Sequence, residues 1–145
     1  MTSLSRLSVL CCAAVGLLAG GCAEPSGDPS QAQKSYGRPV DATDAIPAPA
    51  VAAEATLYTG PPVTVDGRVA SVMPDGCTLY LMTGDGPPLR VDTTRPDEGT
   101  CAWQVPPETD GFAVAAGTLR ATGDTLRLSA NGVRVTPVRT SHPDP

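Results

Sequence analysis

The sequence predicts an all-β chain: a small five-stranded barrel preceded by one short helix. Three observations lead there. Between residues 62 and 138 apolar side chains recur at every second position, the period of a strand with one buried face. Turn sequences cut this stretch into five runs: "PDG" at 74–76, "GDGPP" at 84–88 and "TGD" at 122–124, with a longer connection between the third and fourth runs. The alternation slips phase near Ala70-Ser71, at Gly117 and at Asn131-Gly132, where an inserted residue lets a strand bend.

The elements follow in order. Pro49 to Thr59 reads as the helix, with proline in the first turn, an alanine-rich interior and Gly60 as its C-terminal cap. Val51, Ala55 and Tyr58 form its narrow apolar stripe. The first strand sets Val63, Val65, Gly67 and Val69 on one face and Thr64, Asp66 and Arg68 on the other, with Val72 out of phase. Cys77, Leu79 and Leu81 share the inner face of the second strand, opposite Thr78, Tyr80 and Met82. The third turns Leu89 and Val91 inward, Arg90 and Asp92 outward. The fourth is expected to use Phe112, Val114 and Ala116, with Leu119 out of phase beyond Gly117. The last uses Leu126, Leu128 and Ala130, then Val133 and Val135.

A meander of three strands, a long connection and a hairpin of two form the pattern of an OB-fold, the small Greek-key barrel. Tyr36-Gly37, the short helix, "VTVDGRVASV", the turn ending in Gly76-Cys77 and "FAVAAGTL" together resemble a small exported bacterial OB-like family of unknown function. The likeness covers about Tyr36 to Val138. It implies a lipoprotein or periplasmic protein. Members often carry two cysteines around the turn between the first two strands; here Met73 stands near the first of those positions and Cys77 at the second.

The N-terminus fits that setting. Arg6 is followed by an apolar stretch from Leu7 to Ala19, about 13 residues, too short for a bilayer core that needs about 20. Leu18-Ala19-Gly20-Gly21-Cys22 resembles the lipobox of bacterial lipoproteins, which implies cleavage before Cys22 and a lipid on its sulfur. Ala23 after the cysteine implies outer-membrane retention, facing the periplasm, where that membrane exists. The alternative is ordinary signal cleavage that leaves Cys22 a thiol. The expected organisation is a signal peptide at 1–21, a disordered tether at 22–47, the barrel domain at 48–140 and a disordered tail at 141–145. Pro, Ser, Ala, Gly and Asp dominate the tether, although Tyr36-Gly37 is expected to dock locally.

With Cys11 and Cys12 in the signal and Cys22 lipidated, Cys77 and Cys101 remain, an even pair in an oxidising compartment. A disulfide is the default. If the hairpin loop is 84–87, Cys77 faces about Thr94, and the connection holding Cys101 leaves the third strand beside it. The same geometry suits two thiolates on a soft metal, so a metal-binding or thiol-redox protein is the competing class. Met73 and Met82 are poor additions to such a site, since Met82 and Cys77 differ in strand parity.

No catalytic constellation is visible, and no cofactor is expected. The one histidine, His142, sits in the C-terminal "SHPDP". Asp97-Glu98 and Glu108/Asp110 read as solvated loop charge. A net charge of −5 and 3% aromatic residues disfavour nucleic acid, which OB-folds bind with basic grooves and stacked aromatics; Asp75 and Asp124 stand on the loops that would rim such a groove. Arg68, Arg90, Arg120, Arg127 and Arg134 all face outward, either as solubilising charge or as a stripe for an anionic envelope ligand. Trp103 is expected to cap a barrel end rather than to stand exposed as a contact residue. The chain therefore reads as a lipid-anchored, non-catalytic envelope protein that binds a small molecule or another envelope protein.

Overall fold

The computed structural model describes residues 33–95 and 99–138. The signal segment, Cys22, Asp97-Glu98, His142 and the 141–145 tail lie outside them. The described residues form seven strands and two short helices: β1 Lys34–Gly37, β2 Ile46–Pro47, α1 Ala48–Ala53, α2 Ala55–Tyr58, β3 Pro62–Val72, β4 Thr78–Leu81, β5 Leu89–Thr93, β6 Gly111–Thr122 and β7 Thr125–Pro137. Five of them close a barrel. β3 pairs with β4, β4 with β5, β5 with β7, β7 with β6, and β6 returns to β3. All those pairings are antiparallel except the β5–β7 seam, which is parallel. This is the OB-like Greek-key barrel the turn pattern predicts.

Closure depends on two inserted residues. Val69 and Ser71 of β3 pair with consecutive residues of β4, so Ala70 bulges out. Ala116 and Gly117 of β6 pair with Gly132 and Ala130 of β7, which makes Asn131 the extra residue. The bulge brings backbone against backbone: a Cβ at Gly117 would collide with the Ser129 carbonyl, so no other residue fits without displacing β7. Inside, Val65, Leu79, Leu81, Val91, Leu119 and Leu128 are fully buried.

Four expectations need correction. The tether ends earlier than residue 47. Lys34–Gly37 extends β7 antiparallel to Gly132–Val135, Val40 is buried, and Ile46–Pro47 pairs in parallel with β3. Past Ala130, β5 no longer covers β7, and β1 takes the vacant edge. The helix is two pieces rather than one, broken at Glu54, where φ −130° and ψ 42° leave the helical region. Val51 is buried while Leu57 is 67% exposed.

In β6 the buried residues are Ala113, Ala115 and Leu119, in one phase, while Phe112 is 54% exposed. A five-stranded barrel is narrow, and two alanines leave space for the leucines and valines facing them. Finally, Cys77 lies beside Thr93, not Thr94, because Thr93 N–H donates to the Cys77 carbonyl at 2.9 Å. Pairing with Thr94 would have set Leu79 against Asp92; the observed register pairs Leu79 with Val91, both inward.

The long connection between β5 and β6 plugs one end of the barrel. Trp103 is 3% exposed and its Nε1–H donates to the Ala130 carbonyl at 2.9 Å, as expected of a cap. Residues 102–105 of this connection are tied to the barrel. Ala102 N–H donates to Thr94 O at 3.1 Å, Trp103 N–H to Thr93 Oγ1 at 3.2 Å, and Val105 N–H to Gly76 O at 2.9 Å. Gly76, at φ 71°, turns the chain into β4 so close to Val105 that a side chain there would meet its carbonyl.

Candidate functional site

Among the described residues, the outer face of β4, β5 and β7 carries an arrangement of polar side chains whose geometry suggests a site. Strand register sets two rows across it. The first runs Tyr80, Arg90, Arg127, Arg120, from β4 through β5 and β7 to β6. The second runs Thr78, Asp92, Ser129, Thr118 across the same strands. Three guanidinium side chains thus stand side by side, a juxtaposition that destabilises a sheet when nothing compensates it.

Asp92 compensates two of them. Its Oδ1 and Oδ2 each lie 2.9 Å from Arg90 Nε, and Oδ2 lies 3.0 Å from Arg127 Nε. Thr78 Oγ1 donates to Oδ1 at 2.7 Å. With its side chain only 19% exposed, this carboxylate is well shielded; it accepts from Arg90 Nε–H and the Thr78 hydroxyl and forms an ion pair with Arg127. The hydrogen bond to Asp92 raises the Arg90 pKa above its ordinary value, against a smaller opposing effect of burial. Arg120 is exposed and has no ion pair among the described residues.

A solvent-open cavity of about 640 Å³ lies over the β4, β5 and β7 part of these rows, lined by Tyr80, Arg90, Asp92, Arg127 and Ser129 together with Met73, Asp75 and Arg95; Arg120 and Thr118 on β6 are not among its lining residues. Asp75 Oδ1 accepts from Cys77 N–H at 3.1 Å, which fixes the tight turn at the rim. Cys77 itself lines the cavity and is disulfide-bonded to Cys101, with Cα atoms 5.9 Å apart. The bond staples the plug segment to the start of β4.

Other sequence candidates fall elsewhere. Met82 is 46% exposed and is not among the residues lining the cavity, whereas Met73 is. Asp124 lines a separate cleft of about 500 Å³ beside α1, so the two loop aspartates do not rim one groove. Arg68 pairs with Asp110 at 3.5 Å, both half-exposed, and Arg134 lies away from the cavity on β7. Of the five outward arginines, read either as solubilising charge or as a stripe, three share a row. Strand parity correctly turned the arginines outward; only register shows which ones align.

Neither the protein-family models nor the curated proteins provide a match for this chain.

Proposed function

We propose that the chain is an exported, lipid-anchored cell-envelope protein whose barrel is a non-catalytic binding module. The observation that carries the binding role is the open polar cavity over β4, β5 and β7. These correspond to the second, third and fifth strands of an OB-fold, and the face around strands two and three is where such folds seat ligands. The only well-shielded carboxylate there, Asp92, is engaged by two guanidinium groups and a hydroxyl, which makes it a poor proton acceptor for a substrate. The lipobox-like run ending at Cys22 and the likeness to an exported OB-like family support the location. The competing reading, a soft-metal or thiol-redox protein, needs the sulfurs of Cys77 and Cys101 released from each other.

The anchor is tested by fractionation. In the native host, Cys22→Ala should move the protein from the membrane to the soluble fraction, and the mature wild type should begin at a lipidated Cys22. An intact-mass measurement showing an unmodified Cys22 would refute it.

Nucleic acid is not the expected ligand. One cationic row on a chain of net charge −5 offers no track for a polyanion, and Tyr80 is the only aromatic residue lining the cavity. Single-stranded DNA should remain unbound in low salt by fluorescence anisotropy. Salt-sensitive binding in the micromolar range would overturn this.

A further inference from the structure

We infer that the cavity over β4, β5 and β7 takes a small organic phosphate, its phosphoryl group seated on Arg90 and Arg127. The inference rests on the binding-module reading and names its ligand class. It begins from an electrostatic imbalance. Register places Arg90, Arg127 and Arg120 in one row, three positive charges, and Asp92 is the only carboxylate bonded to any of them among the described residues. A protein with five more acidic than basic charges has carboxylates to spare for such a row, yet the row keeps a surplus of positive charge.

The geometry shows how that surplus is presented. Asp92 engages both Arg90 and Arg127 through Nε, at 2.9 and 3.0 Å, so each guanidinium retains its Nη donors while its position is fixed. Two forks held by one carboxylate are organised before any ligand arrives, which removes most of the side-chain entropy that binding would otherwise lose. Tyr80 and Ser129 add hydroxyl groups to the same cavity. The charged residues lining the cavity, Arg90, Arg95 and Arg127 against Asp75 and Asp92, leave it net positive, and the free Nη donors of two guanidinium groups suit the three oxygens of a phosphoryl group better than the two of a carboxylate.

The cavity also argues for an organic body. About 640 Å³ is far more space than a bare phosphate fills. Asp75 and Arg95 both line the cavity and offset each other, while Met73 and the ring of Tyr80 offer apolar contact. The phosphoryl end therefore belongs on Arg90 and Arg127, and a neutral body beside Met73 and Tyr80.

The phosphoryl group can come from a soluble metabolite or from a lipid headgroup, and the test separates the two. The full chain, ¹⁵N-labelled in a neutral detergent, is titrated with inorganic phosphate, glycerol 3-phosphate, dihexanoyl phosphatidate and methyl glucoside while amide and arginine Nε–H resonances are followed. Saturable shifts at Arg90, Arg127 and Ser129 are expected with the phosphate esters, and glycerol 3-phosphate should bind more tightly than inorganic phosphate. A clear preference for the phosphatidate identifies a lipid headgroup; equal affinity identifies a soluble ester.

Arg127→Gln should weaken binding about tenfold or more, since a charged hydrogen-bonding partner is lost. Should that variant unfold, Arg127→Lys, which keeps a positive charge beside Asp92 but loses the Nη fork, should still weaken binding severalfold. Unchanged affinity in a folded variant overturns the assignment. Saturable shifts at the cavity with methyl glucoside and none with phosphates would overturn the phosphate inference while leaving the binding module intact. No cavity shifts with any probe would overturn both.

Discussion

Truncating Trp103 to alanine is expected to cost the domain about 3–5 kcal/mol, the range for removing a buried aromatic side chain. Against a typical domain stability of about 5–15 kcal/mol, that removes a large part of the total and would bring a domain at the low end of the range near its unfolding midpoint. The reason is position. Trp103 is 3% exposed, lies against Gly37 and Thr93, and belongs to the same core cluster as Leu119 and Val133. Trp103→Phe should lose much less. The Ala130 carbonyl that accepts Nε1–H also accepts Thr94 N–H at 3.0 Å, so removing the indole donor leaves it partnered. The deleted hydrogen bond then accounts for about 1 kcal/mol. Urea denaturation of both variants measures the difference. Because this is the only tryptophan in the chain, its emission in the wild type reports the plug directly and should shift to the red on unfolding. A loss under about 1 kcal/mol in Trp103→Ala would show that the segment does not support the barrel.

Local pattern revealed the barrel, and three places show where it stopped. Alternation located β3, β4, β5 and β7 because each buries bulky residues on one face: Val65 and Val69, Leu79 and Leu81, Leu89 and Val91, Leu128 and Ala130. In β6 the same rule selected Phe112 and Val114 over Ala113 and Ala115, because residue size marks burial only where the interior is wide enough for size. β1 has no alternation to read: in "KSYG" only Tyr36 is apolar enough to pack. Its conformation comes from the open edge of β7 that begins where β5 ends, a non-local cause; Tyr36-Gly37 signalled a docked segment but not a strand.

The proposed binding face was legible only as a set of outward arginines. Their alignment depends on the parallel β5–β7 seam and on the β6–β7 hairpin, both of them pairings between strands rather than properties of one strand. Asp92 shows the same limit. Its period-two spacing from Arg90 on β5 was visible, but its reach to Arg127 required the neighbouring strand to be in place.

Replacing Cys77 and Cys101 together by alanine should destabilise the domain by about 3 kcal/mol and lower its melting temperature by roughly 10–20 °C. The two residues are 24 apart in sequence, and most of the effect comes from the larger freedom of the unlinked unfolded chain. Protein recovered from an oxidising compartment should show no accessible thiols at these positions in denaturant and should carry no metal. Two thiols with stoichiometric copper or zinc would instead support the metal-binding reading. The double alanine variant also tests whether the plug acts as one unit. The disulfide, the Trp103 bond to Ala130 and the Val105 bond to Gly76 all hold the same connection against the same barrel end. Once the bond is gone, that connection can fray, and part of what Trp103 contributes is already lost. Combining Trp103→Ala with the cysteine pair should therefore cost less than the sum of the separate losses, by about 0.5–3 kcal/mol. Strict additivity would mean that Trp103 packs independently of the staple, and the plug would then be two separate contacts rather than one.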